Sequence, residues 1–156
     1  MRVKYASPPD VMRFQSYLHS RYGIGKDDLQ KWSWIRYKES VWIVSRDIQP
    51  IARSSANLFQ LGLLAFMDAT SFESTSHFIT FLGNRIKQNV VLLSSEQADT
   101  FFARNKISRE KVDTANVLSD GFVAISLSGK IIGSGRLTKS HLMPNLPPQY
   151  HGTEIE

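Results

Sequence analysis

Apolar residues recur at three- and four-residue spacing from Val11 through Phe14, Tyr17 and Leu18 to Tyr22, with Arg13, Gln15, His19 and Arg21 between them. That period predicts an amphipathic helix with one face turned inward. Ser7-Pro8-Pro9-Asp10 supplies its start, with a serine cap, prolines where no N–H is needed and an acid in the first turn; Gly23 supplies its stop. A short helical turn is expected over 26–31, and the pattern then changes to strands. Trp34 to Lys38 and Val41 to Ser45 flank Glu39-Ser40 as a hairpin. One or two helical turns are expected over 48–55, and the run from Leu58 to Met67 reads as a long apolar strand.

Beyond the polar stretch Thr70 to Ser76, read as a linker, His77 to Ile86 suits either a helical turn or an entering strand. Asn89 to Leu93 predicts a buried strand. Ser94-Ser95-Glu96-Gln97 carries the serine and the glutamine of a capping box, so a helix from Ser95 to about Arg104 is expected to bury Ala98, Phe101 and Phe102. Ser108 is a candidate cap for a further short turn. Gly121 to Leu127 and Lys130 to Leu137 form a second hairpin turning at Ser128-Gly129. Gly133 and Gly135 inside its second strand predict a bulge, a sharp bend or a close backbone approach, a barrel corner being the simplest source. Leu142 to Tyr150, with prolines at 144, 147 and 148, reads as an extended tail.

The 156 residues suffice for one full domain or two small ones. Helix, hairpin, small helix and strand in the first half and a hairpin-closed unit in the second make the class α+β, divided at 1–73 and 76–150. The tryptophans at 32, 34 and 42 are expected to fill the core rather than to stack on bases. The absence of cysteine excludes a disulfide framework, a thiolate zinc site and a thiol nucleophile. With 19 Lys+Arg against 14 Asp+Glu, the net charge of +5 favours a polyanionic partner. Without an apolar run of roughly 18 residues or a leader-like N-terminus, the expectation is a cytoplasmic protein with no membrane partner.

The second half, in the order Asn-Val-Val-Leu-Leu, a serine-capped helix ending Phe-Phe-Ala-Arg-Asn, a basic loop, Gly-Phe-Val-Ala-Ile-Ser-Leu and Gly-Lys-Ile-Ile-Gly-Ser-Gly, resembles the PUA domain, a small RNA-binding β-barrel. The resemblance covers about residues 76–145. The first half, with Val41 to Ser45 and the strand around Leu61-Gly62, resembles the α/β pre-PUA domain of antiparallel strands and helices. That domain precedes PUA in an archaeal and eukaryotic family of large-subunit ribosome-assembly factors. The resemblance implies non-catalytic binding of structured RNA in pre-rRNA processing, with no cofactor. The alternative it leaves is an adaptor module serving an enzyme that modifies rRNA or tRNA, so a pre-ribosomal or RNA-modification protein is a further implied partner. Family members often have glycine in the loop after the capped helix; here Ala103 to Ile107 has none, and Asn105 is the residue expected to take the left-handed conformation.

The cations expected to face phosphate are Arg104, Lys106 and Arg109 from the basic loop and Lys130, Arg136 and Lys139 from the hairpin. Lys111 belongs to the same basic segment, with Glu110 and Asp113 interleaved. No Walker loop, HExxH or nucleophile elbow is present, and the histidines at 19, 77, 141 and 151 are scattered, so no catalytic or metal-ligating residue is assigned. Asp68 with His77 is the one acid–base pair considered, and a surface histidine is the preferred reading. A protein–protein adaptor presenting Trp32, Trp34 and Phe59 is the other rival; salt-insensitive capture of a protein would distinguish it.

Overall fold

In the computed structural model, which describes residues 3–48, 58 and 61–147, the first helix obeys its sequence signals. Helix α1 (Pro8–Tyr22) is capped by Ser7, whose side chain accepts from the Asp10 N–H, and it ends on Gly23 at φ 70. Phe14, Leu18 and Tyr22 are buried on its inner face. Arg21, expected to be solvated, instead reaches across the molecule: its guanidinium donates to the Phe122 carbonyl at 2.7 Å and to the Ser119 hydroxyl at 2.6 Å.

Helix α2 (Lys26–Leu29) leads into an antiparallel sheet of β1 (Lys4–Tyr5), β2 (Trp32–Tyr37), β3 (Ser40–Ser45) and β4 (Leu63–Phe66), paired in that order. Trp32 and Trp34 are buried as expected. The fourth strand is shorter than its apolar run because Leu58 and Leu61 are helical. The Gly62 N–H closes a turn on the Leu58 carbonyl at 2.7 Å, and a Cβ at Gly62 would stand 2.8 Å from that oxygen, so the chain can enter the sheet only after this glycine. The helical turns expected over 48–55 lie, beyond Ile48, outside the described residues, as does Phe59.

The Thr70–Ser76 stretch is tied down at several points. Ser74 is fully buried, and the Thr75 hydroxyl donates to the Leu64 carbonyl at 2.7 Å while accepting from the Phe78 N–H at 3.0 Å. Thr75 thereby caps α3 (Ser76–Leu82), so the ambiguous 77–86 segment resolves as a helix. Phe78, Ile79, Leu82 and Ile86 join Phe14, Leu18, Trp34 and Phe66 in one apolar cluster that also takes in Ala124. The cluster therefore runs across the expected boundary.

The second sheet comprises β5 (Val90–Leu93), β6 (Ile107–Ser108), β7 (Gly121–Leu127), β8 (Lys130–Leu137) and β9 (His141–Asn145), in the order β5-β7-β8-β9-β6. Strands β5 and β7 are parallel; the other pairs are antiparallel. The sheet curls into a half-barrel, with Leu92 bridging back to Asp113 just past β6. The start of the proline-containing tail expected over 142–150, as far as Asn145, is thus a paired strand. Pro144 pairs opposite Gly135.

Helix α4 (Ser95–Phe102) has the full capping box, Ser94 and Gln97 each bonding the other's backbone. It buries Ala98 and Phe101 over a second cluster with Val91, Val123, Ile125, Leu137 and Leu142. Phe102, expected inside, is 46% exposed, since it follows Phe101 directly and points off the buried stripe.

Strand β7 feeds both cores, Ala124 the first and Val123 and Ile125 the second, which explains its unbroken apolar run. Ile125 faces Gly133 and Ser126 faces Ile131, so Ile132 is the extra residue of a bulge. At Gly135 a Cβ would lie 3.0 Å from both the Met143 carbonyl and the Leu142 side chain: β9 needs a glycine there to pass so close.

A buried polar knot holds α3 against β8 and β9. The Ser76 hydroxyl accepts from the Ser134 N–H at 3.2 Å and donates to the Asn145 carbonyl, while the Asn145 amide donates to the Ser74 carbonyl at 2.9 Å. Ser76→Ala strands the buried Ser134 N–H and the part-buried Asn145 carbonyl at once. We expect it to cost about 1–3 kcal/mol, read as a lower urea midpoint at unchanged slope.

Candidate nucleic-acid interface

The six cations expected from sequence occupy different parts of the second sheet. Lys130 and Leu137 terminate β8, roughly 23 Å apart at strand rise. Lys130 therefore lies at the end of the hairpin opposite Lys139. Arg104 is exposed and donates to the Pro147 carbonyl, tying the helix exit to the segment beyond β9. Arg104 itself, at φ 65, takes the left-handed conformation expected of Asn105. Its N–H bonds the Phe101 carbonyl at 3.0 Å, so the turn closes one residue earlier than the sequence suggests.

Arg109, Lys139 and Lys106 come together. The turn from β8 into β9 is closed by Thr138, whose N–H donates to the His141 carbonyl at 2.9 Å and whose hydroxyl accepts from the His141 N–H at 3.1 Å. Lys139 is thereby presented to solvent. Arg109 docks on the same turn: its N–H meets the Ser140 carbonyl at 3.0 Å, and its guanidinium donates to the Thr138 carbonyl at 2.9 Å and to the Asp120 carboxylate at 2.6 Å. It thus fastens three loops, and much of its charge is spent on Asp120.

Two adjoining hollows share Ser108. The larger, about 650 Å³, is lined by Arg109, Lys139, His141 and Glu110; the smaller, about 260 Å³, by Lys106, Lys111, Glu96 and Gln97. Four cations against two acids make this rim basic. Lys111 and His141 were not in the expected set. Their sequence signal was membership of the basic segment and proximity to Lys139, but what places them here is the β6–β9 pairing, Ser108 opposite His141.

Arg136 stands apart on the outer face of β8, its guanidinium 6.0 Å from the centre of the Phe122 ring. Beside it runs the loop after β4. There the Asp68 carboxylate accepts from the N–H groups of Thr70 at 2.7 Å and Ser71 at 3.2 Å, bonds that hold its pKa below the usual carboxylate value. Among the described residues no hydrogen bond or ion pair joins Asp68 to the exposed His77.

Neither protein-family models nor curated protein sequences give a match to this chain. What the rim can do follows from its own chemistry. Solvated lysines over hollows attract anionic groups such as phosphates. Among the described residues no group of three or more histidines and acids could hold a metal ion, and no helix is long and apolar enough to cross a membrane.

Proposed function

We propose that this chain binds structured RNA without catalysis through the basic rim of its curled second sheet, as a factor in cytoplasmic ribosome assembly. The observation that carries this reading is the convergence of Lys106, Lys111 and Lys139 around hollows braced by Arg109. Arg109 acts by positioning and Lys106 and Lys139 by contacting phosphate, while Arg136 stands apart in a separate groove. Lys130, at the far end, and Arg104, engaged with Pro147, fall outside the contact set. The link to ribosome assembly rests on the resemblance to the PUA and pre-PUA domains.

The test is the salt dependence of binding to a stem-loop RNA. With about four cations engaged, log K is expected to fall with log salt at a slope of about −3. Cross-links should map to the 106–111 and 138–141 peptides. Binding that ignores salt, or cross-links confined to the 128–130 turn, would refute the assignment.

A further inference from the structure

A second groove, of about 530 Å³, opens where the loop after β4 meets the second sheet. Its floor is a row across three strands: Phe122 on β7 is paired with Arg136 on β8, which is paired with Met143 on β9. The side chains therefore share one face. Met143 is 43% exposed, and the Arg136 guanidinium lies over the Phe122 ring with no acid paired to it among the described residues. A thioether, a planar cation and an aromatic ring on neighbouring strands supply polarisable groups of a kind on which a nucleobase stacks.

The rest of the groove's lining is of another character. Ser71 and Glu73 belong to it, held in place by the Asp68 turn and by Phe72 at φ 56. The Glu73 N–H and C=O belong to the backbone of that loop, the carbonyl accepting from Met67 at 2.8 Å. Its half-buried carboxylate makes no hydrogen bond or ion pair among the described residues. A carboxylate with free lone pairs lining the same groove as that row calls for a ligand edge with two adjacent donors, next to an acceptor that the Ser71 hydroxyl can serve.

We propose that this groove takes an unpaired guanine of the bound RNA, its ring on Arg136 and Phe122 and its N1–H and N2–H donated to Glu73. Guanine alone among the four bases offers that donor pair, with O6 beside it for Ser71 to donate to. Adenine would turn its N1 lone pair toward the carboxylate, and uracil has a single N–H there. The site deepens the RNA-binding proposal and rests on it: the rim holds backbone phosphates, and the groove reads one splayed base in single-stranded RNA.

The experiment measures binding of short uridine oligonucleotides with a single central guanine, adenine or inosine, alongside titration of the Met143 methyl resonance with GMP and with AMP. The guanine oligonucleotide should bind about tenfold more tightly than the adenine one. Inosine, lacking the N2 amine, should fall between them. Glu73→Gln should bring guanine and adenine within about twofold of each other, a change that a merely structural role for Glu73 would not produce. Arg136→Ala should weaken every oligonucleotide about tenfold, and Arg136→Lys should not restore binding, because a lysine has no plane to stack on. GMP should shift the Met143 methyl and AMP should not. Equal, salt-sensitive binding of guanine and adenine with no GMP response would overturn the guanine site and leave the rim standing. Failure of any RNA to bind would overturn both.

Discussion

Phe66→Ala is expected to lower the stability of the whole chain by about 3–5 kcal/mol, the range for emptying a buried aromatic site. Phe66 is fully buried at the end of β4 and packs against rings from four elements. Trp34 lies stacked at 6.3 Å, Phe14 at 5.7 Å, Tyr17 at 5.9 Å, Phe72 at 5.8 Å and Phe78 at 5.8 Å. Those partners come from β2, α1, the loop after β4, and α3. A methyl group in place of the ring leaves all of them facing a void that rigid neighbours cannot collapse around.

A folded domain has about 5–15 kcal/mol in hand, so the variant should be partly unfolded at moderate temperature. The measurement is urea denaturation followed by two signals. All three tryptophans sit at positions 32, 34 and 42, so fluorescence reports the first half, while far-ultraviolet circular dichroism reports both. Because the cluster around Phe66 continues through Phe78 to Ala124, the two signals should shift together and stay superimposed. If fluorescence alone moves, the halves fold independently and the shared core is not what joins them.

That shared core also marks where sequence reasoning stops. Features decided within a few residues were legible: the Ser7 and Gly23 caps, the Ser94–Gln97 capping box, the turn at Ser128-Gly129 and, one residue away from the expected Glu39-Ser40, the turn at Lys38-Glu39. Each is a contest between neighbouring side chains and their own backbone, and such contests leave a local signature. What was misjudged depends on distant partners. The run from Leu58 to Met67 is apolar throughout, and only the closing of Gly62 onto Leu58 decides where helix yields to strand. The start of the proline-containing tail becomes β9 because Gly135 leaves room for it. The polar Thr70–Ser76 stretch has the composition of a linker, yet Ser74 is buried against Asn145 from the far end of the chain.

The same distinction governs the cations. Charge along the sequence identified Arg104, Lys106, Arg109, Lys130, Arg136 and Lys139 as one set, but whether a cation faces a ligand depends on what already holds it. Asp120 takes Arg109 and the Pro147 carbonyl takes Arg104, whereas Arg136 lies over Phe122 with no acid paired to it among the described residues. Lys106 and Lys139 are exposed, with no hydrogen bond or ion pair among the described residues, which leaves their charge available.

The double reversal Lys106→Glu with Lys139→Glu should therefore remove stem-loop RNA binding by on the order of 100-fold at about 0.1 M salt. Each lost phosphate contact forfeits close to a tenfold factor there, and the new carboxylates repel the backbone. Stability should stay within about 0.5 kcal/mol of the parent, as for surface positions without partners. Two controls give the result its meaning. Lys130→Glu makes half the formal charge change at the distant end of the hairpin, so its effect should come only through the long-range field and shrink to less than about threefold at that salt. Arg109→Ala should weaken binding for another reason: with it go the clasp on Thr138 and the partner of Asp120, so its thermal midpoint falls along with its affinity. If Lys130→Glu proves as damaging as the double reversal, net charge rather than a localised rim governs RNA binding, and the interface assigned to the 106–111 and 138–141 segments is wrong.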